Sequence, residues 1–120
     1  MTRPHILFGG ASVGEPLFDS LEKVNSLLET LREGGIEAID TAAIYPFSAQ
    51  GTSEQLLGES HASQLGFSID TKLKATGASS LKPLSIEESL TGSLSRLNAN
   101  VRVNLGCHLQ LTAIFLMNEA

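Results

Sequence analysis

Apolar residues recur at helical spacing in two parts of the chain. They fall three or four positions apart between Pro16 and Gly34 and again after Ser85 (Leu17, Leu21, Val24, Leu28, Leu31; Ile86, Leu90, Leu94, Leu97). This spacing places them on one face of a helix. We predict a first helix from Pro16 to the Gly34-Gly35 pair, and a third helix that a capping box at Ser85 opens and that ends near residues 98–100.

Three shorter segments have the pattern of buried or half-buried strands. His5–Phe8 is a short, mainly apolar run, whereas Ile36–Ala42 and Phe67–Lys72 alternate apolar and polar positions. Between the second and third strands, a capping-box pattern that begins at Thr52 predicts a short second helix, closed by Gly66.

The regular alternation of strand and helix, with short connections, predicts right-handed βαβ units and a parallel α/β sheet. The pattern alone does not separate an open sheet from a closed barrel. The glycines of Gly9–Gly14 lack the spacing of a dinucleotide fingerprint, and Glu15-Pro16 stands where a phosphate loop requires Lys-Ser/Thr. A glycine turn in which the backbone passes close to a neighbour is the simpler interpretation.

Composition restricts the classes of function. The chain has 120 residues, enough for one domain, and carries a net charge of -5, so it has no basic field for nucleic acid or an anionic membrane. The single Cys107 excludes an internal disulfide. The longest mainly apolar stretch, Leu109–Met117, is far shorter than the about 20 residues that a membrane span needs. We expect a cytoplasmic protein with no nucleic-acid or membrane partner.

Three short motifs follow one another around the second and third strands. They are Asp40-Thr41-Ala42-x-x-Tyr45, Gly51-x-Ser53-Glu54-x-x-Leu57-Gly58 and Thr71-Lys72. In this order and spacing they resemble the aldo-keto reductase superfamily, as do residues 31–36 and 93–97, and residues 41–46 look most like the aflatoxin-aldehyde-reductase branch. The resemblance extends from about Ile6 to Leu97. It implies the N-terminal part, about three and a half βα units, of a (β/α)8 TIM barrel.

The resemblance implies reduction of aldehydes or ketones with NADP(H). Such a reduction needs a proton for the carbonyl oxygen, and a phenol is a weak donor at neutral pH unless a cation favours its ionised form. The resemblance makes Tyr45 the proton donor, Lys72 its cationic neighbour and Asp40 the partner of Lys72. Lys74 lies on the same strand face as Lys72, but only Lys72 follows a threonine as the family's lysine does. Taken singly, each residue also has a purely structural interpretation.

The resemblance also suggests where the cofactor lies and which histidine joins the site. Gly9, Gly10 and Ala11, together with Asp40, match the region where the family's backbone approaches the nicotinamide ribose. His108 matches the family's catalytic histidine imperfectly, because it comes one residue early in the segment Val103–His108. A one-residue slip turns a side chain to the opposite face of a strand. We predict no metal ion.

We divide the chain into a partial reductase barrel domain over residues 1–99 and a divergent tail over residues 100–120, which we interpret as a gene-model or splicing artefact. A complete barrel takes about 250 residues, so we expect this chain alone to be inactive. The alternative is a non-catalytic, truncated paralogue that pairs its open barrel edges with a full-length reductase. A generic α/β domain with an accidental motif match is the third hypothesis.

Overall fold

The computed structural model describes residues 2–74, 82–99 and 103–107, the last of these as backbone only. Within these ranges four strands and three helices alternate, and a short 3-10 turn (Gly10–Ser12) follows the first strand. The strands are β1 (Leu7–Gly9), β2 (Ala38–Asp40), β3 (Ser68–Leu73) and β4 (Val103–Cys107). The helices are α1 (Leu21–Glu33), α2 (Thr52–Glu59) and α3 (Pro83–Leu97).

All four strands are parallel, and their order in the sheet, β1-β2-β3-β4, is their order in the chain. Phe8, Ile39 and Ile69 lie side by side in register and face the helices. The core around them takes residues from all three helices (Val24, Leu28, Leu31, Leu56, Leu57 and Leu97). The helices therefore cover one face of the sheet, whereas a doubly wound sheet carries helices on both. This arrangement is that of consecutive units of a (β/α)8 barrel, and the predicted fold class is confirmed.

The opposite face of the sheet carries the polar residues that the period of two predicts for it. Gly9, Asp40 and Asp70 are neighbours in register, and Lys72 follows two positions later on β3. These residues stand at or near the carboxyl ends of their strands, which is the end where barrel enzymes carry their active sites. In a closed barrel this face lines the interior.

The start of α1 differs from the prediction. Residues 14–18 form a tight turn closed by a hydrogen bond from the Gly14 N–H to the Phe18 carbonyl. The helix begins only at Leu21, where the side chain of the N-cap Ser20 accepts from the Lys23 N–H. Leu17 is consequently 77% exposed instead of facing the core. The predicted stop at Gly34-Gly35 is confirmed, with Gly35 at a φ of 77°.

Both capping-box predictions are wrong. The N-cap of α2 is Gly51, at a φ of 87°, and Thr52 is already the first helical residue. Helix α3 begins earlier than Ser85, with Lys82 as N-cap and Pro83 as its first residue. Proline is favoured there because its fixed φ suits a helix and its missing N–H has no partner in the first turn.

Segment ends also differ elsewhere. Helix α2 stops at Glu59, and the chain from there to Gly66 runs in turns, so that Leu65 is 43% exposed. Strand β1 is displaced toward Gly9, and β2 occupies only the middle of its predicted range. At 15 residues α3 is the longest helix in the described ranges, and no helix there combines the length and apolarity that crossing a bilayer requires.

Candidate active site

Lys72 is fixed at the carboxyl end of β3 by three oxygen acceptors. Its Nζ lies 2.7 Å from each carboxylate oxygen of Asp40, at the end of β2, and 2.9 Å from the Thr41 carbonyl oxygen. The side chain of Lys72 is only 12% exposed, against 36% for Asp40. An ammonium has three N–H donors, so these contacts hold the charged group in one orientation.

Tyr45 lies in the loop that follows β2, and its ring packs against the Lys72 ammonium. The Lys72 Nζ lies 5.1 Å from the centroid of the Tyr45 ring, within the range of a cation–π contact of about 6 Å. The ring also meets Phe47 edge-on at 6.0 Å between centroids. The loop is held by hydrogen bonds from the Tyr45 N–H to the Ala42 carbonyl and from the Ser53 N–H to the Tyr45 carbonyl, each 3.1 Å long. The structure thus brings Asp40, Tyr45 and Lys72 together.

Lys74, the other lysine near the end of β3, does not join this cluster. Lys74 is exposed, and its backbone N–H donates to the Ser89 hydroxyl at 2.9 Å. His108 lies outside the described residues. Residues 2–74 and 82–99 contain no group of three or more His, Cys, Asp or Glu side chains arranged to hold a metal ion.

Gly9, the last residue of β1, and Gly10, which follows it, lie beside Asp40 and differ in the space around them. Gly9 is in register with Asp40, and a β-carbon there would have no atom within 4 Å. At Gly10 a β-carbon would lie 2.6 Å from the Asp40 carbonyl oxygen, so only glycine permits this approach of the two backbones. Ala11 follows on the exposed side of the turn. Of the residues expected to meet the cofactor, Gly9 therefore borders open space next to Asp40, whereas Gly10 is buried against the Asp40 backbone.

A buried polar network lies directly behind the cluster, and the sequence pattern assigned no role to Ser53, Glu54 or Arg96, which belong to it. Ser53 is fully buried and bonds to the Thr41 hydroxyl at 2.7 Å and to the Gly10 carbonyl at 3.0 Å. Glu54 is fully buried as well, and it accepts from the Thr71 hydroxyl and from Arg96.

The sequence did contain a signal for the buried glutamate. Glu54 precedes the apolar Leu57 by three residues and Gly58 by four, and such spacing puts all three on one side of a helix. Leu57 and Gly58 are buried in the structure, as is Glu54. An acidic residue on the apolar side of a helix requires a buried partner, and Arg96 supplies it.

The chain is similar to known proteins in sequence and in fold. The model of the aldo/keto reductase family matches residues 5–108. Curated protein sequences give no significant match. Among solved structures, an aldo-keto reductase from Bacillus halodurans in its holo form superposes with a TM-score of 0.63 at 22% identity, covering 84% of this chain and 35% of its own.

Two further solved structures are similar. A protein from Pseudomonas aeruginosa assigned to the aldo-keto reductases has a TM-score of 0.66 at 22% identity and covers 96% of this chain and 50% of its own. A glycerol dehydrogenase from Gluconobacter oxydans has a TM-score of 0.60 at 24% identity and covers 84% of this chain and 35% of its own. The chain thus spans between about a third and a half of the length of these structures, and at these identities the likeness establishes the fold.

Proposed function

The chain belongs to the aldo/keto reductase family, and from this membership we propose that it supplies the proton-donating part of an active site that reduces aldehydes and ketones with NADP(H). The observation that carries the proposal is the position of the Lys72 ammonium, which lies between the carboxylate of Asp40 and the ring of Tyr45. This arrangement suits a phenol that must give up a proton and be left as an anion.

Each side chain has a distinct task in the proposed reaction. The Tyr45 hydroxyl donates its proton to the oxygen of the substrate carbonyl. The Lys72 ammonium stabilises the phenolate that remains, because opposite charges attract more strongly where water is partly excluded. Asp40 keeps Lys72 charged and oriented through its two 2.7 Å contacts. NADPH, when bound, supplies the hydride for the carbonyl carbon.

We assign the loop after β1 to the cofactor. The space beside Gly9 is open, because a β-carbon there would meet no atom within 4 Å, and Gly9 is in register with Asp40. We place Gly10, Ala11 and Asp40 in the same cofactor region on the family resemblance. The preference for NADP(H) over NAD(H) rests on the family resemblance. We also propose a cytoplasmic location, which a chain with the single Cys107 and no internal disulfide favours.

We expect the 120-residue chain to be inactive by itself. Barrel active sites take residues from the ends of several different strands, and this chain covers 35% to 50% of the relatives' length. His108 remains the fourth proposed catalytic residue. It lies outside the described residues and follows β4 in the sequence, and β4 pairs in parallel with β3.

The test joins this chain to the part of the Pseudomonas aeruginosa relative that it does not match, as one polypeptide. Transfer of deuteride from labelled NADPH to an aromatic aldehyde is followed by mass spectrometry. We expect transfer by the joined barrel and none by either part alone. A joined barrel that folds and binds NADPH yet transfers no deuteride would contradict the catalytic proposal, and transfer by the 120-residue chain would overturn its expected inactivity.

A second candidate function is a non-catalytic module that binds a full-length reductase through its sheet edges. It is favoured by β1, which in the described ranges pairs only with β2, and by the exposure of Ile6 (56%) and Leu7 (40%) along it. Exposed strand edges readily pair with other chains. Copurification of a full-length reductase with the tagged chain, lost when Leu7 is replaced by lysine, would support this function. A chain recovered without such a reductase would exclude it.

A further inference from the structure

Ser53 contacts each of the two segments that lead into the proposed catalytic cluster from β1 and β2. Its hydroxyl bonds to that of Thr41, the residue directly after Asp40, and donates to the Gly10 carbonyl at the end of β1. Its backbone N–H donates to the Tyr45 carbonyl at 3.1 Å. One fully buried residue therefore fixes the chain on both sides of the segment that runs from Asp40 to Tyr45.

Glu54, the next residue, performs the corresponding task for β3. One carboxylate oxygen accepts from the hydroxyl of Thr71, the residue directly before Lys72. The other lies 2.7 Å from Nε of Arg96 on α3. Glu54 has no exposed surface, and both of its oxygens are used. The carboxylate is thus fixed between the end of β3 and the last turn of α3.

We propose that Ser53 and Glu54 are positioning residues that set the distance between Asp40, Tyr45 and Lys72. This inference rests on the proposed function for its catalytic meaning. The two residues are adjacent in the first turn of α2, so a single peptide unit links the bonds to the β2 end with those to the β3 end. Neither residue touches the open space beside Gly9, and each acts through the neighbour of a cluster residue.

The energetics of burial support a positioning role. A buried hydroxyl or carboxylate that loses its partner costs more than the bond itself contributes, so these contacts tolerate little displacement. Thr71 and Lys72 are consecutive on an extended strand and point to opposite faces. If the Thr71 hydroxyl shifts away from Glu54, the strand backbone shifts with it. The Cα and Cβ of Lys72, whose side chain lies on the other face of the sheet, therefore move as well.

The test uses the 120-residue chain and a signal that does not depend on turnover. Protons close to an aromatic ring are displaced in NMR spectra by the ring current, and the chain has a single tyrosine. The ε-methylene resonance of Lys72 should accordingly be displaced in the wild type. Tyr45→Leu gives the reference position of that resonance without the ring. Urea unfolding is measured in parallel on every variant.

We expect Thr71→Val, which has the same shape without the hydroxyl, to move the Lys72 resonance toward its position in Tyr45→Leu. Thr71→Ser, which keeps the hydroxyl, should restore it. Thr30→Val is the matched control, because Thr30 bonds to the Ser26 carbonyl on the exposed side of α1, and it should leave the resonance unchanged.

The role is merely structural if Thr71→Val lowers the unfolding midpoint while the Lys72 resonance keeps its wild-type position, and that result would overturn the inference. A wild-type spectrum without a displaced lysine methylene would overturn it too. If Thr71→Val does not fold, Ser53→Ala replaces it. We expect Ser53→Ala to move the Lys72 resonance toward its position in Tyr45→Leu, and an unmoved resonance would overturn the inference in the same way. If the Lys72 resonance is displaced in the wild type and responds to Thr71→Val as expected, but the joined barrel is inactive, the result would count against the proposed function alone.

Discussion

Gly58 on α2 and Arg96 on α3 meet backbone to backbone. A β-carbon at Gly58 would overlap the Arg96 carbonyl oxygen. Because residues four apart share one side of a helix, this approach also brings the side chain of Arg96 to Glu54, one turn earlier on α2. Gly58 is therefore a condition for the ion pair between Arg96 and the buried Glu54, behind the proposed catalytic cluster.

We predict that Gly58→Ala lowers the free energy of unfolding by about 3 kcal/mol, because the added methyl group forces the two helices apart. The measurement is urea unfolding followed by circular dichroism. Gly92→Ala is the matched control. It also lies inside a helix, but its new methyl group would meet only the guanidinium end of Arg96, at 3.1 Å. It should be neutral or stabilise the helix by up to about 1 kcal/mol, and equal destabilisation by both variants would contradict the account.

We predict that Arg96→Met destabilises the protein by about 3 kcal/mol, because it leaves the carboxylate of Glu54 buried with Thr71 as its remaining partner. The double variant Glu54→Gln with Arg96→Met should recover part of this loss. Arg32→Met, on the exposed side of α1, should change stability by less than about 0.5 kcal/mol. Equal effects of the two arginine substitutions in chemical denaturation would show that Glu54 does not depend on Arg96.

The start of α1 gives a pH-dependent prediction. A hydrogen bond from Lys23 lowers the pKa of Asp19 below its ordinary value of 3.8. Because the lowered pKa belongs to the folded state, the contribution of this pair is present at neutral pH and is lost as the pH falls through the pKa of Asp19. Lys23→Met should raise the pKa of the Asp19 carboxyl toward its ordinary value in an NMR titration. No change of that titration would contradict the role of Lys23.

Substitutions of Gly9 and Gly10, at the end of β1, should differ in their effects on cofactor binding and on stability. Gly9→Ala adds a methyl group to open space, so we expect unchanged stability and weaker binding of NADPH by the joined barrel, measured from cofactor fluorescence. Gly10→Ala drives a methyl group into the Asp40 carbonyl and should reduce both. Unchanged NADPH affinity in Gly9→Ala would remove this loop from the proposed cofactor site.

The sequence predicted the parallel sheet correctly because the alternation of strand and helix is a local pattern. The period of two in Phe67–Lys72 defines which side chains meet the helices, and β3 follows it. The ordered motifs around Asp40, Tyr45 and Lys72 predicted residues that the structure places in contact. Their catalytic roles remain a proposal.

The errors at the helix starts came from local hydrogen bonds that compete with the predicted ones. Thr52 and Gln55 match a capping box, but Gln55 bonds to Glu59 along the helix instead of reaching back, and Gly51 takes the cap position. Leu17 fits the apolar spacing of α1. It lies in the turn that the hydrogen bond between Gly14 and Phe18 closes, however, and its side chain is exposed to solvent. Periodicity and capping patterns carry no information on which competing hydrogen bond is formed in the folded chain.

The central claim is that Tyr45, activated by Lys72 and Asp40, donates the proton in carbonyl reduction. Its most direct test is the rate of deuteride transfer from labelled NADPH in the joined barrel, with Tyr45→Phe compared with the unmodified protein and with Phe47→Leu as the control from the same loop. We predict a loss of about 10²-fold to 10⁴-fold for Tyr45→Phe, with NADPH binding retained, and little change for Phe47→Leu. A Tyr45→Phe barrel that transfers deuteride as fast as the unmodified protein would contradict the claim.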